Sequence, residues 1–278
     1  MTNDLQYKQE VSKHGKKDAI IVICFIAYFF VRAFALLIIF SAFEIPIETR
    51  RIVNWTIIFV DILTVLAIIL IRKQSLASIG LHKENFWRAL RLGLLFGLIP
   101  IIVLGLLQGV VNGWEFNSLV SGLLAFVTVF IMAFREDLMF VGFIQTRLYG
   151  LVKNDFWAIN IGAMIFALAH APAQLMHGIP MGVVNFLGWL IFCFFMHRAF
   201  IMLFKKYFSL VLVTTLHTLW NFSGMGLWSE RAPMMTIWAV VAFFIFIFAV
   251  DFWYGKWNKP RTATDELKIV EEQDKTEN

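Results

Sequence analysis

The segment SLVSGLLAFVTVFIMAFREDLMFVGFIQT, residues 118–146, decides what kind of protein this chain is. It is apolar over most of its length, and it exceeds the roughly 20 residues that an α-helix needs to cross the hydrocarbon core of a bilayer. Its interior nevertheless carries Arg135, Glu136 and Asp137. An ionisable side chain at mid-membrane costs at least about 2.5 kcal/mol, so such residues face a bundle interior and indicate a functional site.

The rest of the chain has the same membrane character. Hydrophobic residues make up 60% of the 278 residues, the mean hydropathy is +0.75, and 15% of residues are charged, whereas soluble domains carry about 25% charged residues. No segment alternates strictly between apolar and polar residues. The sequence therefore predicts an all-α polytopic membrane protein with about eight transmembrane helices and a polar site inside the bundle, at 18–40, 52–71, 91–111, 118–146, 156–174, 181–203, 207–227 and 234–255.

The distribution of cations predicts the topology. With eight spans, 19 of the 24 Lys and Arg residues fall on one side of the membrane, which the positive-inside rule assigns to the cytoplasm. We expect a cytoplasmic tail (1–17), one membrane domain (18–255) and a charged cytoplasmic tail (256–278), in a bacterial cytoplasmic membrane. The lipid bilayer is the expected partner, and the scattered basic residues do not indicate nucleic-acid binding. The sequence predicts no particular oligomeric state.

Polar residues on three predicted spans share one depth. At 1.5 Å per residue, Glu136, His170 and His217 each lie about 15–21 Å from the cytoplasmic end of their spans. Asn221 follows His217 at i, i+4 and shares its helix face. Glu136 and Asp137 diverge by about 100°, so we assign catalysis to Glu136 and expect Asp137 to brace a neighbouring helix or to orient a partner residue. Because Ala171-Pro172 follows His170, the helix should break there, beside a watery pocket.

These residues form three sequence blocks. The first is Glu136-Asp137-Leu138-Met139-Phe140-Val141-Gly142, the second is Phe166-Ala167-Leu168-Ala169-His170, and the third is His217-Thr218-Leu219-Trp220-Asn221. In order and spacing they resemble the motifs of the CAAX protease and bacteriocin-processing family, also called Abi, over residues 130–225. That family has a Glu-Glu pair followed by x-x-x-Arg, then Phe-x-x-x-His, then His-x-x-x-Asn.

The resemblance implies an intramembrane endopeptidase that cleaves a membrane-associated peptide or protein. The expected settings are bacteriocin or pheromone processing and self-immunity. The implied catalytic residues are Glu136 as general base, His170 holding the water, and His217 with Asn221 stabilising the oxyanion. Supporting residues are Asp137, Phe140 and Phe166.

A metal-dependent alternative uses the same side chains. Glu136, His170 and His217 would then be ligands of a divalent metal such as zinc, which activates a bound water. No His-Glu-x-x-His pair occurs in the chain. We favour the mechanism without a metal cofactor and keep the metal alternative.

Two departures from the family motifs keep a second function open. Asp137 stands where the family has a second Glu, and Val141 stands where it has Arg. The missing cation suggests a catalytically weakened relative that binds a membrane partner as a regulator or immunity protein. Arg32 is a candidate substitute, but Asp61 lies at similar depth, and we predict a structural Arg32–Asp61 pair.

Other polar residues receive less weight. We predict that Arg135 points away from the site and that His82 and His197 lie near the membrane boundary. A transporter or channel with a midplane site is a third possibility, and it lacks the inverted repeat that such folds show.

Overall fold

A computed structural model describes residues 3–112, 118–176 and 183–225, and these ranges are helical without a β-strand. The all-α prediction is confirmed. In chain order the helices are α1 (Asn3–Lys13), α2 (Lys16–Ala42), α3 (Ile47–Ile71), a 3-10 turn (Leu76–Ile79), α4 (Phe86–Asn112), α5 (Leu119–Glu136), a π-helix (Asp137–Ile144), α6 (Gln145–Leu148), α7 (Asp155–Ala169), α8 (Ala171–Met176), α9 (Val183–Tyr207) and α10 (Leu210–Met225).

Within these ranges, five helical segments are long and apolar enough to cross a membrane. They are Lys16–Ala42, Ile47–Ile71, Phe86–Val103, Leu119–Leu148 and Phe186–Tyr207. Many apolar side chains on their outer faces are exposed, among them Val31, Ile38, Leu63 and Leu70. Apolar surface of this extent faces lipid in a membrane protein. The chain is therefore a multi-pass membrane protein.

The predicted fifth span is interrupted, and the predicted seventh span begins at Leu210, three residues later than expected. The fifth, at 156–174, is split into α7 of 15 residues and α8 of 6 residues. The break falls at His170, as predicted, because Pro172 has no N–H to donate to the carbonyl of Leu168, four residues earlier. The seventh is α10, with 16 residues. The eighth span, at 234–255, and the charged tail, at 256–278, lie outside the described residues.

The predicted amino-terminal tail contains a helix that packs on the bundle. Tyr7 and Val11 of α1 are buried, and the Tyr7 ring meets Tyr149 and Phe204 edge-on, with ring centroids 6.0 and 5.9 Å apart. The opposite face of α1 is polar and exposed. This amphipathic pattern explains why α1 packs on the bundle with one face and leaves the other face exposed.

The core of the bundle lies around the π-helix, whose eight residues are all buried. Gly142 allows the close approach of the 3-10 turn, since a Cβ there would lie 3.2 Å from the Ile79 Cβ. Arg147 fixes the same turn: its Nη2 donates to Gln74 Oε1 at 2.6 Å and to Ser78 Oγ at 2.7 Å. These contacts hold the segment that follows Glu136 in one position.

Candidate active site

Glu136 is the last residue of α5, where the helix changes from α to π. A π-helix replaces i→i+4 with i→i+5 hydrogen bonds, and such segments are frequent at functional sites. The Thr146 hydroxyl donates to the Gly142 carbonyl at 2.6 Å, which satisfies a backbone acceptor in the irregular turn. The Glu136 side chain is partly open, with 18% exposure, whereas Asp137 is fully buried.

Asp137 holds His217 on α10. The two side chains meet at 3.0 Å, between Asp137 Oδ1 and His217 Nδ1, and both are buried. This contact fixes the plane of the imidazole and directs Nε2 toward Glu136. A carboxylate that orients a catalytic imidazole in this way is a recurring arrangement in enzymes.

His170 caps the carboxyl end of α7, and its ring is fixed by its own helix. Nδ1 lies 3.0 Å from the Phe166 carbonyl oxygen. Because a carbonyl only accepts, Nδ1 must carry the hydrogen. Nε2 of the neutral ring is therefore an acceptor, and it faces Glu136.

The three groups converge on one oxygen atom. Glu136 Oε2 lies 4.0 Å from His170 Nε2 and 3.9 Å from His217 Nε2. These separations are too long for direct hydrogen bonds. They match a single water between the groups, because two partners at about 2.8 Å from one water are ~4 Å apart when they subtend about 90°.

The same distances fit a zinc ion less well. With ligand bonds of about 2.1 Å, partners 3.9–4.0 Å apart would subtend about 140°, and a tetrahedral site requires ~3.4 Å between ligands. Across the described ranges, no group of three or more His, Cys, Asp and Glu side chains has metal-binding geometry. To bind zinc tetrahedrally, the predicted ligand atoms would have to move about 0.5 Å closer to one another.

A cavity of about 580 Å³ contains all four predicted catalytic residues. Asn221 lies on its wall beside His217, as the i, i+4 spacing predicts, and Phe140 and Phe166 contribute aromatic surface. The rest of the lining is mainly apolar and comes from α2, α3, α5, α7, α8, α9 and α10. The structure thus brings the four predicted catalytic residues, Phe140 and Phe166 to one cavity, and Asp137 contacts it through His217.

His197 on α9 is a neighbour of the site that the sequence analysis placed wrongly. It is fully buried, and its ring stacks on Phe166 with centroids 4.0 Å apart and an interplanar angle of 3°. Phe166 in turn contacts the His170 ring at 4.4 Å. The predicted boundary location failed because α9 continues to Tyr207, four residues beyond the predicted end of the span at 203. Among the described groups, neither nitrogen of His197 has a hydrogen-bond partner.

A charge cluster borders the cavity. The buried carboxylate of Asp61 accepts from Arg32, including Nη2 to Oδ2 at 2.8 Å, and from Arg135, with Nε and Nη2 at 2.8 and 2.6 Å from Oδ2. The structure thus contains the predicted Arg32–Asp61 pair. The prediction that Arg135 faces away is wrong, because Arg135 lines the same cavity as Glu136. Val141, at the position of the motif arginine, is fully buried.

Fold and site together define a multi-pass membrane protein with a histidine–carboxylate site enclosed by its helices. Residues 117–223 match the family described as type II CAAX prenyl endopeptidase Rce1-like, and this segment contains all three motifs. The match confirms the resemblance found in the motifs, and it implies an intramembrane protease of the CAAX type. No curated protein matches the chain.

Proposed function

We propose that this protein is an intramembrane endopeptidase that hydrolyses a peptide bond in a membrane-associated peptide or protein. One observation carries the proposal: the Nε2 atoms of His170 and His217 lie 4.0 and 3.9 Å from the same oxygen of Glu136. This space suits one water that touches a base and two imidazoles. Bacteriocin or pheromone processing, and self-immunity, are the biological settings that we propose for it.

The first chemical step is attack by this water. Glu136 removes one proton as the water oxygen bonds to the peptide carbonyl carbon, and His170 Nε2 accepts the other hydrogen of the water in a hydrogen bond. General-base catalysis of this kind contributes typically about 10²–10⁴-fold in rate. The carbonyl π-bond electrons move to oxygen and form the tetrahedral oxyanion.

The oxyanion requires hydrogen-bond donors, and His217 supplies one when the Asp137–His217 pair carries one proton more than an ionised Asp137 beside a neutral imidazole. Either an imidazolium beside an ionised Asp137, or a neutral ring beside a protonated Asp137, presents Nε2–H to the cavity. Asn221 supplies a second donor through its side-chain amide. Removal of one such donor typically costs about 10²–10³ in kcat.

The second step breaks the C–N bond. The oxyanion collapses to a carboxyl group, and protonated Glu136 delivers its proton to the departing amine nitrogen. Glu136 is thereby regenerated, and both products, a new carboxyl end and a new amino end, leave through the apolar cavity. Glu136 acts first as base and then as acid, as one carboxyl group in a water-poor site allows.

The test compares peptide ends in membranes from cells that carry the wild-type protein, Glu136→Gln, Glu48→Gln or a deletion. Glu48 is an exposed carboxylate at the start of α3, so it is a matched control. We expect new peptide ends with wild type and Glu48→Gln only. Equal sets of ends in all four strains, with Glu136→Gln correctly folded and at wild-type abundance, would refute proteolysis.

The buried Val141 favours a second candidate function. Without the motif arginine, the protein would bind a membrane partner as a regulator or immunity protein with weakened catalysis. If Glu136→Gln, expressed in the deletion strain, restores the wild-type phenotype in full, the result supports this function over the protease. If instead His170→Asn and Glu136→Gln both fail to restore it, the regulator reading is excluded.

The metal alternative has its own test. The ligands would be Glu136, His170 and His217, with a divalent ion that activates water. Metal content and activity of the purified protein are measured before and after chelation. Activity that survives complete removal of metal supports the water held by the three side chains alone. Loss of activity that added zinc reverses supports the metal.

A further inference from the structure

A second cavity, of about 440 Å³, lies away from the catalytic site, between the start of α4 and the end of α9. Its walls are Arg88, Arg91, Leu92, Lys206 and Tyr207. Three of these five residues are cationic, one is a phenol and one is aliphatic, and none is acidic. The catalytic residues do not line it, so its function is separate from the proposed reaction.

The two arginines belong to one helix face and lack an acidic partner. Arg88 and Arg91 are spaced i, i+3 near the amino end of α4, where like charges repel each other and the positive end of the helix dipole adds to the repulsion. Both are exposed. Neither forms an ion pair with a carboxylate in the described part of the chain. An anion between the two guanidinium groups would relieve this repulsion.

The opposite wall of the cavity is held by a strained turn. Phe208, directly after Lys206 and Tyr207, has φ +40°, which is rare for a residue other than glycine and occurs where surrounding structure enforces it. Phe208 is buried, and its ring packs against His82 with centroids 4.9 Å apart. Tyr207 itself leans on Phe96 of α4 at 6.4 Å. Lys206 and Tyr207 are thus fixed beside the arginines.

An apolar stripe continues from the cavity into the membrane. Leu95 and Ile99 follow Arg88 and Leu92 on the same face of α4, at helical spacings of i, i+3 and i, i+4. Both side chains are exposed among the apolar residues of the outer surface. A ligand with an anionic head and hydrocarbon chains complements the cations and the stripe at once.

We propose that this cavity binds the phosphate headgroup of an anionic phospholipid, with its acyl chains along the outer face of α4. Arg88 and Arg91 offer planar guanidinium donors that suit phosphate oxygens, Lys206 adds a point charge, and the Tyr207 hydroxyl adds a neutral donor. Basic pockets between transmembrane helices at the positively charged side of a membrane bind anionic headgroups. The inference does not depend on the proposed protease activity.

The test is native mass spectrometry of the purified full chain in a neutral detergent, titrated with phosphatidylglycerol or with phosphatidylcholine. The site variant is Arg88→Gln, Arg91→Gln, Lys206→Gln. The control is Lys16→Gln, Lys17→Gln, Lys153→Gln, which removes the same charge from exposed positions at the same end of the bundle. We expect phosphatidylglycerol to bind the site variant roughly a hundredfold more weakly than wild type, while the control keeps wild-type affinity.

Three outcomes overturn the proposal. Equal loss of affinity in both triple variants means that general electrostatic attraction, not a site, holds the lipid. Equal affinity for phosphatidylcholine and phosphatidylglycerol means that the cations do not recognise charge. Inorganic phosphate at millimolar concentration that displaces phosphatidylglycerol completely means that the cavity takes the free ion rather than a lipid. A thermal-unfolding scan of each variant verifies that it is folded.

Discussion

We expect the substitution Asp61→Asn to lower the free energy of unfolding strongly, although it hardly changes the volume of the side chain. Asp61 accepts four hydrogen bonds, two from Arg32 and two from Arg135, and it is fully buried. The cluster of two guanidinium groups and one carboxylate carries a net charge of +1. Asp61→Asn keeps the shape and raises this charge to +2 in a region of low dielectric.

The magnitude follows from the asymmetry of the cluster. Removing one partner from a buried ion pair typically costs about 3–5 kcal/mol. The arginine side chains are 15% and 17% exposed, which screens the remaining charges partly, so we expect ~3 kcal/mol for Asp61→Asn. Arg135→Gln instead leaves the neutral pair of Arg32 and Asp61, and we expect a loss of about 1 kcal/mol or less.

The assay is unfolding by increasing sodium dodecyl sulfate in mixed micelles, with the free energy of unfolding extrapolated for each variant. The control is Glu48→Gln, which breaks an exposed pair with Arg51 and should change the free energy by less than about 0.5 kcal/mol. Equal destabilisation by Arg135→Gln and Asp61→Asn would contradict the role of Asp61 as the counter-ion of both arginines. A cost of Asp61→Asn no larger than that of Glu48→Gln contradicts this role as well.

Three further predictions concern other parts of the bundle. Burial lowers the pKa of His14, in the loop after α1, to about 4, below the unfolded value of ~6.5, so protonation favours unfolding. Stability should fall as pH drops from 6.5 to 4, by about 3 kcal/mol in all, and the difference between wild type and His14→Gln in free energy of unfolding should show this window. Gly93→Ala should cost about 1–3 kcal/mol, because its Cβ would lie 2.7 Å from the Thr215 Cβ. Gly122→Ala, where no atom lies within 4 Å, should cost nothing in the same unfolding assay; equal effects would contradict the close packing of α4 on α10. His197→Phe keeps the stack on Phe166 and removes two unpartnered nitrogens, so the protein should be as stable or about 1 kcal/mol more stable; a clear loss of stability would mean that a buried water binds His197.

The convergence of Glu136, His170 and His217 could be predicted from the sequence because depth in a membrane is a one-dimensional quantity. Counting residues from the charged ends places all three in one layer, and spacing within α10 places Asn221 beside His217. The structure brings these residues together in one cavity. The break at His170 could be predicted because its cause is local: Pro172 lacks the N–H that a continuous helix would need there.

Rotation about the helix axis could not be predicted in the same way. The π-helix changes the angular step after Glu136. The sequence allowed Asp137 to orient a partner residue, but it did not indicate that this partner is His217 or that both carboxylates face the same imidazole. Asp137 contacts His217 Nδ1, and Glu136 faces Nε2 of the same ring. The partner of Arg135 was missed because it depends on which helices are neighbours, which no local pattern encodes.

The Asp61 cluster connects the segment that matches the family to helices that lie before it in the chain. The family match covers 117–223 and includes Arg135, whereas both of its charged companions, Arg32 and Asp61, come from α2 and α3 upstream. A fragment cut to the matched boundaries would keep every proposed catalytic side chain. It would also leave one guanidinium without a counter-ion at membrane depth and remove one wall of the cavity. The segment that matches the family is therefore smaller than the unit that its contacts hold together, and a shortened chain that keeps the Asp61 cluster has to start no later than α2.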